Sequence, residues 1–140
     1  MKRHAALTPL SREHHAALVL AKRARGLDVG DSAAVAAFQA QLAQAWAADL
    51  DPHFQREEQH LLPCLTLVRE SALVTRTYHE HRQLREQVAA ILAGDSAAIL
   101  PFGEALDAHV RFEERELFPV AEELLPQSLL ARVAAGLGGL

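Results

Sequence analysis

A histidine and a glutamate four residues apart occur twice, inside two segments that share the pattern H-x-x-x-E-E-x-x-L-[LF]-P. The segments are HFQREEQHLLP at residues 53–63 and HVRFEERELFP at residues 109–119. Residues four apart lie on one face of an α-helix, about one turn along. Each segment therefore presents an imidazole beside a carboxylate, and two such pairs facing each other would suit a pair of metal ions.

Two shorter segments extend this pattern. Glu13-His14 and Glu80-His81 each begin an amphipathic stretch that continues into hydrophobic residues. The order along the chain is EH, HxxxE, EH, HxxxE, which indicates a helical hairpin that is repeated once. Four helices would then meet with one metal-directed face each.

The helical face decides which histidines are candidates. Adjacent helical residues diverge by about 100°, so His14 and not His15 shares the apolar face of its helix. The same argument favours His81 over His79. A single histidine on an apolar face is more often a core residue than a ligand, but all four predicted long helices carry one. His60 lies on the face of the first HxxxE pair and stays open as an extra ligand or a supporting donor.

The glutamates of the two long segments fall into two sets with different predicted roles. Glu57 and Glu113 lie four residues after a histidine, where an unpaired charge would be costly to bury and where metal coordination would remove that cost. Glu58, Glu114 and Glu116 are predicted to be solvent-facing helix formers.

Composition predicts one all-α domain spanning residues 1–140, with a core at about 10–125. Half of the residues are apolar and only 5% are aromatic, and the net charge of −4 argues against a nucleic-acid surface. Cys64 is the single cysteine, which excludes an intramolecular disulfide and a cysteine-based zinc site. The sequence has neither a signal peptide core nor an apolar stretch long enough to span a bilayer. We therefore expect a cytoplasmic protein without membrane contact.

Apolar spacing and breaking residues predict the helix limits. Helix 1 is expected at about 11–25 with Ser11 as N-cap and Gly26 as stop, and helix 3 at about 69–93. The second helix is expected to kink near residues 48–51, before Pro52, and to end or be disturbed at Pro63. Asp95 or Ser96 would cap helix 4, and a short helical tail follows residue 126.

With these residues in place, the chain resembles the hemerythrin-like HHE cation-binding family over about residues 10–125. The resemblance rests on REHHAAL, HFQREEQHLLP, YHEHRQL and HVRFEERELFP, in the family's order. It implies an up-down-up-down four-helix bundle that holds two Fe ions joined by an oxo or hydroxo bridge. The implied nitrogen ligands are His14, His53, His81 and His109, and the implied bridging carboxylates are Glu57 and Glu113.

The chain departs from the oxygen-carrying members of that family in the third helix, where they place two histidines four residues apart. Here the residues at that spacing from His81 are Thr77 and Arg85, which leaves a more open iron or a substitute such as His60. The carriers also have a five-residue His-to-Asp spacing in the last helix, where this chain has His109 and Glu113 four apart. These departures count against reversible O₂ carriage. The function that the resemblance still implies is binding or sensing of O₂, NO or peroxide, with a protein partner or a homodimer as a further possibility.

Other functions remain as alternatives to this interpretation. One is a di-iron redox enzyme that reduces peroxide or NO, or a protein that delivers iron to damaged iron centres. Ferritin-like carboxylate proteins need two Glu-x-x-His motifs, and this chain has only Glu57-x-x-His60. No HExxH zinc motif occurs. A metal-free bundle that only binds partners is the remaining alternative, and it predicts that replacing His53 and His109 with leucine leaves the fold as stable or more stable.

Overall fold

The computed structural model describes residues 2–138, which contain four long helices and a short fifth one. Helix α1 is Thr8–Gly26, and it is connected by a five-residue loop to helix α2, which covers residues 32–67. Helix α3 is Ser71–Leu92, helix α4 covers residues 99–124, and helix α5 is Gln127–Gly136. No strand occurs within residues 2–138. The all-α four-helix bundle with a short C-terminal helix is confirmed.

Two helix ends follow from identifiable local chemistry, and one predicted cap was wrong. Asp31 caps α2 by accepting the backbone N–H groups of Ala33 and Ala34. Gly94, at φ 110°, turns the chain after α3, because glycine adopts this left-handed conformation without steric cost. The prediction of Ser11 as N-cap was wrong, because α1 begins earlier, at Thr8, with proline in its first turn.

Three wide π turns interrupt the two HxxxE helices without ending them. They are Trp46–Leu50 and Glu57–Leu61 in α2, and Glu113–Leu117 in α4. The kink predicted near residues 48–51 is therefore a π turn, and Pro63 does not end its helix, which continues to Leu67.

Each π turn is placed by a proline that follows it. Proline lacks the N–H that would bond to the carbonyl four residues earlier, and its ring crowds that carbonyl. The residues four before Pro52, Pro63 and Pro119 are the central residues of the three π turns. A wider turn moves each crowded carbonyl aside and lets the helix continue. Two of these turns begin at Glu57 and Glu113, so the backbone is widened where the candidate bridging carboxylates project.

Two apolar layers fill the bundle, one on either side of a polar layer. The layer nearer to α5 is formed around Leu10, Leu61 and Phe118, and it includes Leu130 and Val133 of α5. The second layer fills the other end of the bundle and is formed by the apolar residues around Phe38, Phe54 and Phe102. The short tail helix therefore packs on the bundle and closes one end of it.

Helices α1 and α4 approach each other closely at Gly103. A Cβ atom at this position would lie 2.8 Å from Cβ of Ala24 and 2.9 Å from the carbonyl oxygen of Ala21. Glycine and alanine at this crossing let the two backbones pack closely, six residues before His109. No helix within residues 2–138 combines the length and apolar character needed to cross a membrane.

Candidate metal centre

The polar layer of the bundle consists of six buried side chains that project from all four long helices. Each of the six is exposed by 4% or less, in the middle of a core that is otherwise largely apolar. They are His14 from α1, His53 and Glu57 from α2, His81 from α3, and His109 and Glu113 from α4. These are the six residues for which the sequence predicted a metal site, and the fold brings all of them together.

The six side chains form two groups that share both glutamates. One group contains His14 and His53, the other contains His81 and His109, and Glu57 and Glu113 belong to both. Within each group the donor atoms lie within 4.8 Å of one another. Each group could therefore hold one ion with two imidazole nitrogens and two carboxylate oxygens.

The two carboxylates direct one oxygen to each group. Oε2 of Glu57 lies 3.3 Å from Nε2 of His53, and its Oε1 lies 3.1 Å from Nε2 of His81. Oε1 of Glu113 lies 2.8 Å from Nε2 of His14, and its Oε2 lies 3.1 Å from Nε2 of His109. Neighbouring donors around an ion with bonds of about 2.1 Å lie roughly 3 Å apart, so this spacing fits two ions bridged by both glutamates.

The hydrogen-bond inventory of the cluster gives an independent test of that fit. Nine buried side-chain polar atoms within the described residues have no hydrogen-bond partner, and three of them lie outside the cluster, on Arg3, Arg56 and Gln87. The other six are Nε2 of His53, His81 and His109, both Oε atoms of Glu57, and Oε2 of Glu113. Buried polar atoms are nearly always paired, because leaving one unpaired costs about 1–3 kcal/mol. All six atoms belong to the two donor groups, so coordinated cations would satisfy them together.

A comparison with known protein families identifies the family to which the chain belongs. The sequence pattern of the hemerythrin HHE cation binding domain matches residues 5–121. The chain belongs to this family. No curated protein and no solved structure shows significant similarity to the chain. The buried histidine and glutamate cluster of this HHE domain fits a metal site, in keeping with the cation binding for which the family is named.

Each of the four imidazoles in the cluster also forms a hydrogen bond to a glutamate on the side that faces away from the cluster. The pairs join Nδ1 to a carboxylate oxygen at 2.6–2.7 Å: His14 with Glu114, His53 with Glu13, His81 with Glu58, and His109 with Glu80. An imidazole that donates its Nδ1–H in this way directs the lone pair of Nε2 into the cluster. The hydrogen bonds thus orient the four rings toward the same space.

Two of these four glutamates correct the interpretation of the sequence. Glu58 and Glu114 were predicted to face solvent, and this was wrong, because each reaches sideways to the imidazole of a neighbouring helix. Glu116 is exposed and pairs with Arg76, as expected for a surface residue. The only indication in the sequence was that both H-x-x-x-E-E segments have a second glutamate. The histidine that this glutamate binds lies on another helix, and residue spacing within one helix does not predict such a contact.

The electrostatics of the cluster follow from burial and from the carboxylates. Burial lowers the pKa of the imidazoles, but the facing carboxylates outweigh it and raise the pKa of His14 to about 9 and those of His53 and His81 to about 10. Burial raises the pKa of Glu58, but His81 and Arg85 outweigh it and lower the pKa to about 2. A cation must therefore displace protons from the imidazoles in order to bind.

The other candidate residues lie outside both donor groups. His15 and His79 are exposed, and the ring of half-buried His60 packs against Gly136, where a Cβ atom would lie 2.3 Å from Nδ1 of the ring. Thr77, four residues before His81, is fully buried and donates its hydroxyl to the carbonyl of Leu73 at 2.7 Å.

The cysteine of the HHE domain also lies apart from the cluster. Cys64 is 3% exposed and is buried in the apolar layer that α5 covers. The candidate donors are consequently imidazole and carboxylate groups alone, a set that iron accepts and that lacks the thiolates of structural zinc sites.

Proposed function

We propose that this HHE domain holds two iron ions and uses them to bind or sense O₂ or another small oxidant or diatomic molecule, such as NO or peroxide. His14 and His53 would hold one ion, His81 and His109 the other, and Glu57 and Glu113 would bridge them. The observation that carries the proposal is the pair of donor groups that share two carboxylates, with one oxygen of each carboxylate directed to each group.

The number of donors supports small-molecule binding. Each group supplies two nitrogens and two oxygens, so an ion that takes six ligands would keep positions for exogenous molecules. When bound, the two irons would supply reversible redox chemistry and positions open to a small ligand. The protein contributes the orientation of the imidazoles, the bridging carboxylates, and two apolar layers that limit access of water to the cluster.

Metal analysis of freshly purified protein tests the proposal. Iron per chain is measured before and after anaerobic addition of ferrous iron, and visible spectra are recorded after dithionite, after air and after NO. We expect about two irons per chain and visible absorption that dithionite removes and that air or NO changes. Absence of bound metal together with absence of ferrous iron uptake would contradict the proposal. Catalytic consumption of peroxide or NO would instead assign the centre to redox catalysis.

Two double variants test whether iron uptake depends on the clustered histidines or on any histidines of the chain. His53→Leu with His109→Leu removes one imidazole from each donor group, and we expect it to abolish iron uptake. The control, His15→Leu with His79→Leu, removes two exposed imidazoles and is expected to keep two irons. In a metal-free bundle both double variants would be equally inert toward iron.

A further inference from the structure

We infer that four glutamate–arginine pairs form an outer ring around the donor cluster and set its affinity for cations by charge, with the carboxylates strengthening binding and the arginines restraining it. This inference rests on the proposed metal centre. It assigns a positioning role to glutamates and arginines that do not face the space between the two donor groups.

The glutamates of this ring follow the order of the helices. Each long helix contributes one carboxylate that holds the imidazole of the next helix, and the fourth helix serves the first. Glu13 of α1 holds His53, Glu58 of α2 holds His81, Glu80 of α3 holds His109, and Glu114 of α4 holds His14. Every candidate imidazole ligand therefore has one dedicated carboxylate behind it.

Each of the four glutamates is in turn paired with an arginine. The pairs are Glu13 with Arg56, Glu58 with Arg85, Glu80 with Arg76, and Glu114 with Arg3. The pairing of Glu58 uses both of its oxygens, which accept from the guanidinium at 2.8 Å and 3.2 Å. Imidazole, carboxylate and guanidinium thus follow one another outward from the cluster in all four directions.

The four glutamates occupy equivalent positions of the sequence repeat, whereas the four arginines do not. In the repeated EH and HxxxEE segments, Glu13 corresponds to Glu80 and Glu58 corresponds to Glu114, so repetition alone explains the carboxylates. Repetition does not explain the arginines, because the position of Arg56, three residues after His53, is occupied by Phe112 in the second copy. Four separate positions supply the same partner, which indicates a requirement of the site.

Aromatic rings beside the cluster fix three of the guanidinium groups. The guanidinium carbon of Arg76 lies 3.9 Å from the ring centre of Phe112, that of Arg3 lies 5.5 Å from Phe118, and that of Arg85 lies 5.9 Å from Phe54. Phe54 also stacks on His81 at a centroid distance of 4.1 Å. Three of the four guanidinium charges are therefore held at defined places beside the cluster.

The carboxylates and the arginines of the ring have opposite effects on the affinity for cations. A carboxylate that accepts from Nδ1–H increases the donor strength of Nε2 and adds negative charge near the cation. An arginine that binds this carboxylate withdraws part of that negative charge and repels the cation. The four arginine side chains are 20–45% exposed, so salt screens their charges to a greater extent than it screens the buried cluster.

Cobalt titration of the 140-residue protein and of variants at Glu58 and Arg85 tests the inference. The affinity for Co²⁺ is measured by competition with a chelator, its visible absorption reports the ligand geometry, and circular dichroism verifies helicity. We expect Glu58→Gln to weaken binding by about 10–100-fold, whereas Arg85→Gln should tighten it by about 2–10-fold at low salt. The tightening should shrink at 0.5 M salt, and Arg85→Lys, which keeps the charge, should restore the affinity of the unsubstituted protein.

Matched controls use exposed charges outside the ring. Glu123→Gln removes an exposed carboxylate and Arg82→Gln removes an exposed guanidinium, and neither is expected to change Co²⁺ affinity. The inference is overturned if Glu58→Gln binds like Glu123→Gln, or if Arg85→Gln weakens binding in parallel with Glu58→Gln. Failure of the unsubstituted protein to bind Co²⁺ at all would instead overturn the metal centre itself.

Discussion

Glu57 and Glu113 have a special place among the residues of the cluster, because each belongs to both donor groups whereas each histidine belongs to one. Removal of a shared donor should therefore affect two ions, and removal of an imidazole should affect one. We expect Glu57→Gln to reduce the metal content from two ions to fewer than one per chain. His81→Leu should keep about one ion, held by the group of His14 and His53.

Elemental analysis of both variants after saturation with ferrous iron and gel filtration measures this difference. Glu123→Gln, an exposed carboxylate, is the control for loss of charge and should retain two ions. Equal metal loss in Glu57→Gln and His81→Leu would show that the two groups do not share the glutamate as a bridge.

The raised histidine pKa values predict opposite pH trends with and without a cation. Imidazoles whose pKa rises from 6.5 to about 9 or 10 on folding stabilise the metal-free protein below pH 6.5, and this contribution is lost as the pH rises through 9–10. Glu58, whose pKa falls from 4.5 to about 2, contributes above pH 4.5 and loses its contribution as the pH falls toward 2. These groups therefore stabilise the metal-free protein most between pH 4.5 and 6.5.

A bound cation should reverse that trend above pH 6.5, because it competes with protons for Nε2. The rise in Tm caused by saturating Co²⁺ is expected to grow between pH 5.5 and pH 8. Scanning calorimetry with and without Co²⁺ at several pH values measures it. A rise in Tm that is the same at both ends of this range would contradict proton displacement.

At the level of helices, the π turns couple backbone geometry to the cluster. The turn Glu57–Leu61 exists because Pro63 follows it, and it begins at a candidate bridging residue. In Pro63→Ala the N–H group is restored and the turn is free to tighten toward an α-helix. Since an interior proline costs a helix up to about 3 kcal/mol, we expect a more stable metal-free protein. The displaced Glu57 should lower Co²⁺ affinity.

Thermal unfolding of the metal-free protein and Co²⁺ competition together measure the two effects. Pro101→Ala is the control, because Pro101 lies in the first turn of α4, where proline is tolerated and no π turn precedes it. The idea fails if Pro63→Ala leaves Co²⁺ affinity unchanged or lowers metal-free stability.

For the whole molecule, the sequence predicted the bundle and the six clustered side chains, because spacing within each helix selects the inward-facing residues and the family resemblance implies that they meet at one site. Apolar periodicity defined the four long helices, and the four-residue spacing placed His53 beside Glu57. Contacts between helices were beyond that reasoning. Glu58 was assigned to solvent because its partner is on α3, and the proline signal at Pro63 indicated a disturbed helix without showing that the disturbance is a wide turn.

Each donor group contains one glutamate from the other helical hairpin, and this has a consequence for how the two hairpins assemble. His14, His53 and Glu57 lie before the turn at residues 68–70, and their group is completed by Glu113 from the second hairpin; the other group is built in the reciprocal way. A chain cut at Arg69 would leave two hairpins, neither of which holds a full set of donors. We expect the two fragments to associate more tightly with Co²⁺ than with a chelator, as measured by analytical ultracentrifugation. A bound cation would then be shared between the two halves, so that assembly of the halves and capture of the metal would be one thermodynamic event.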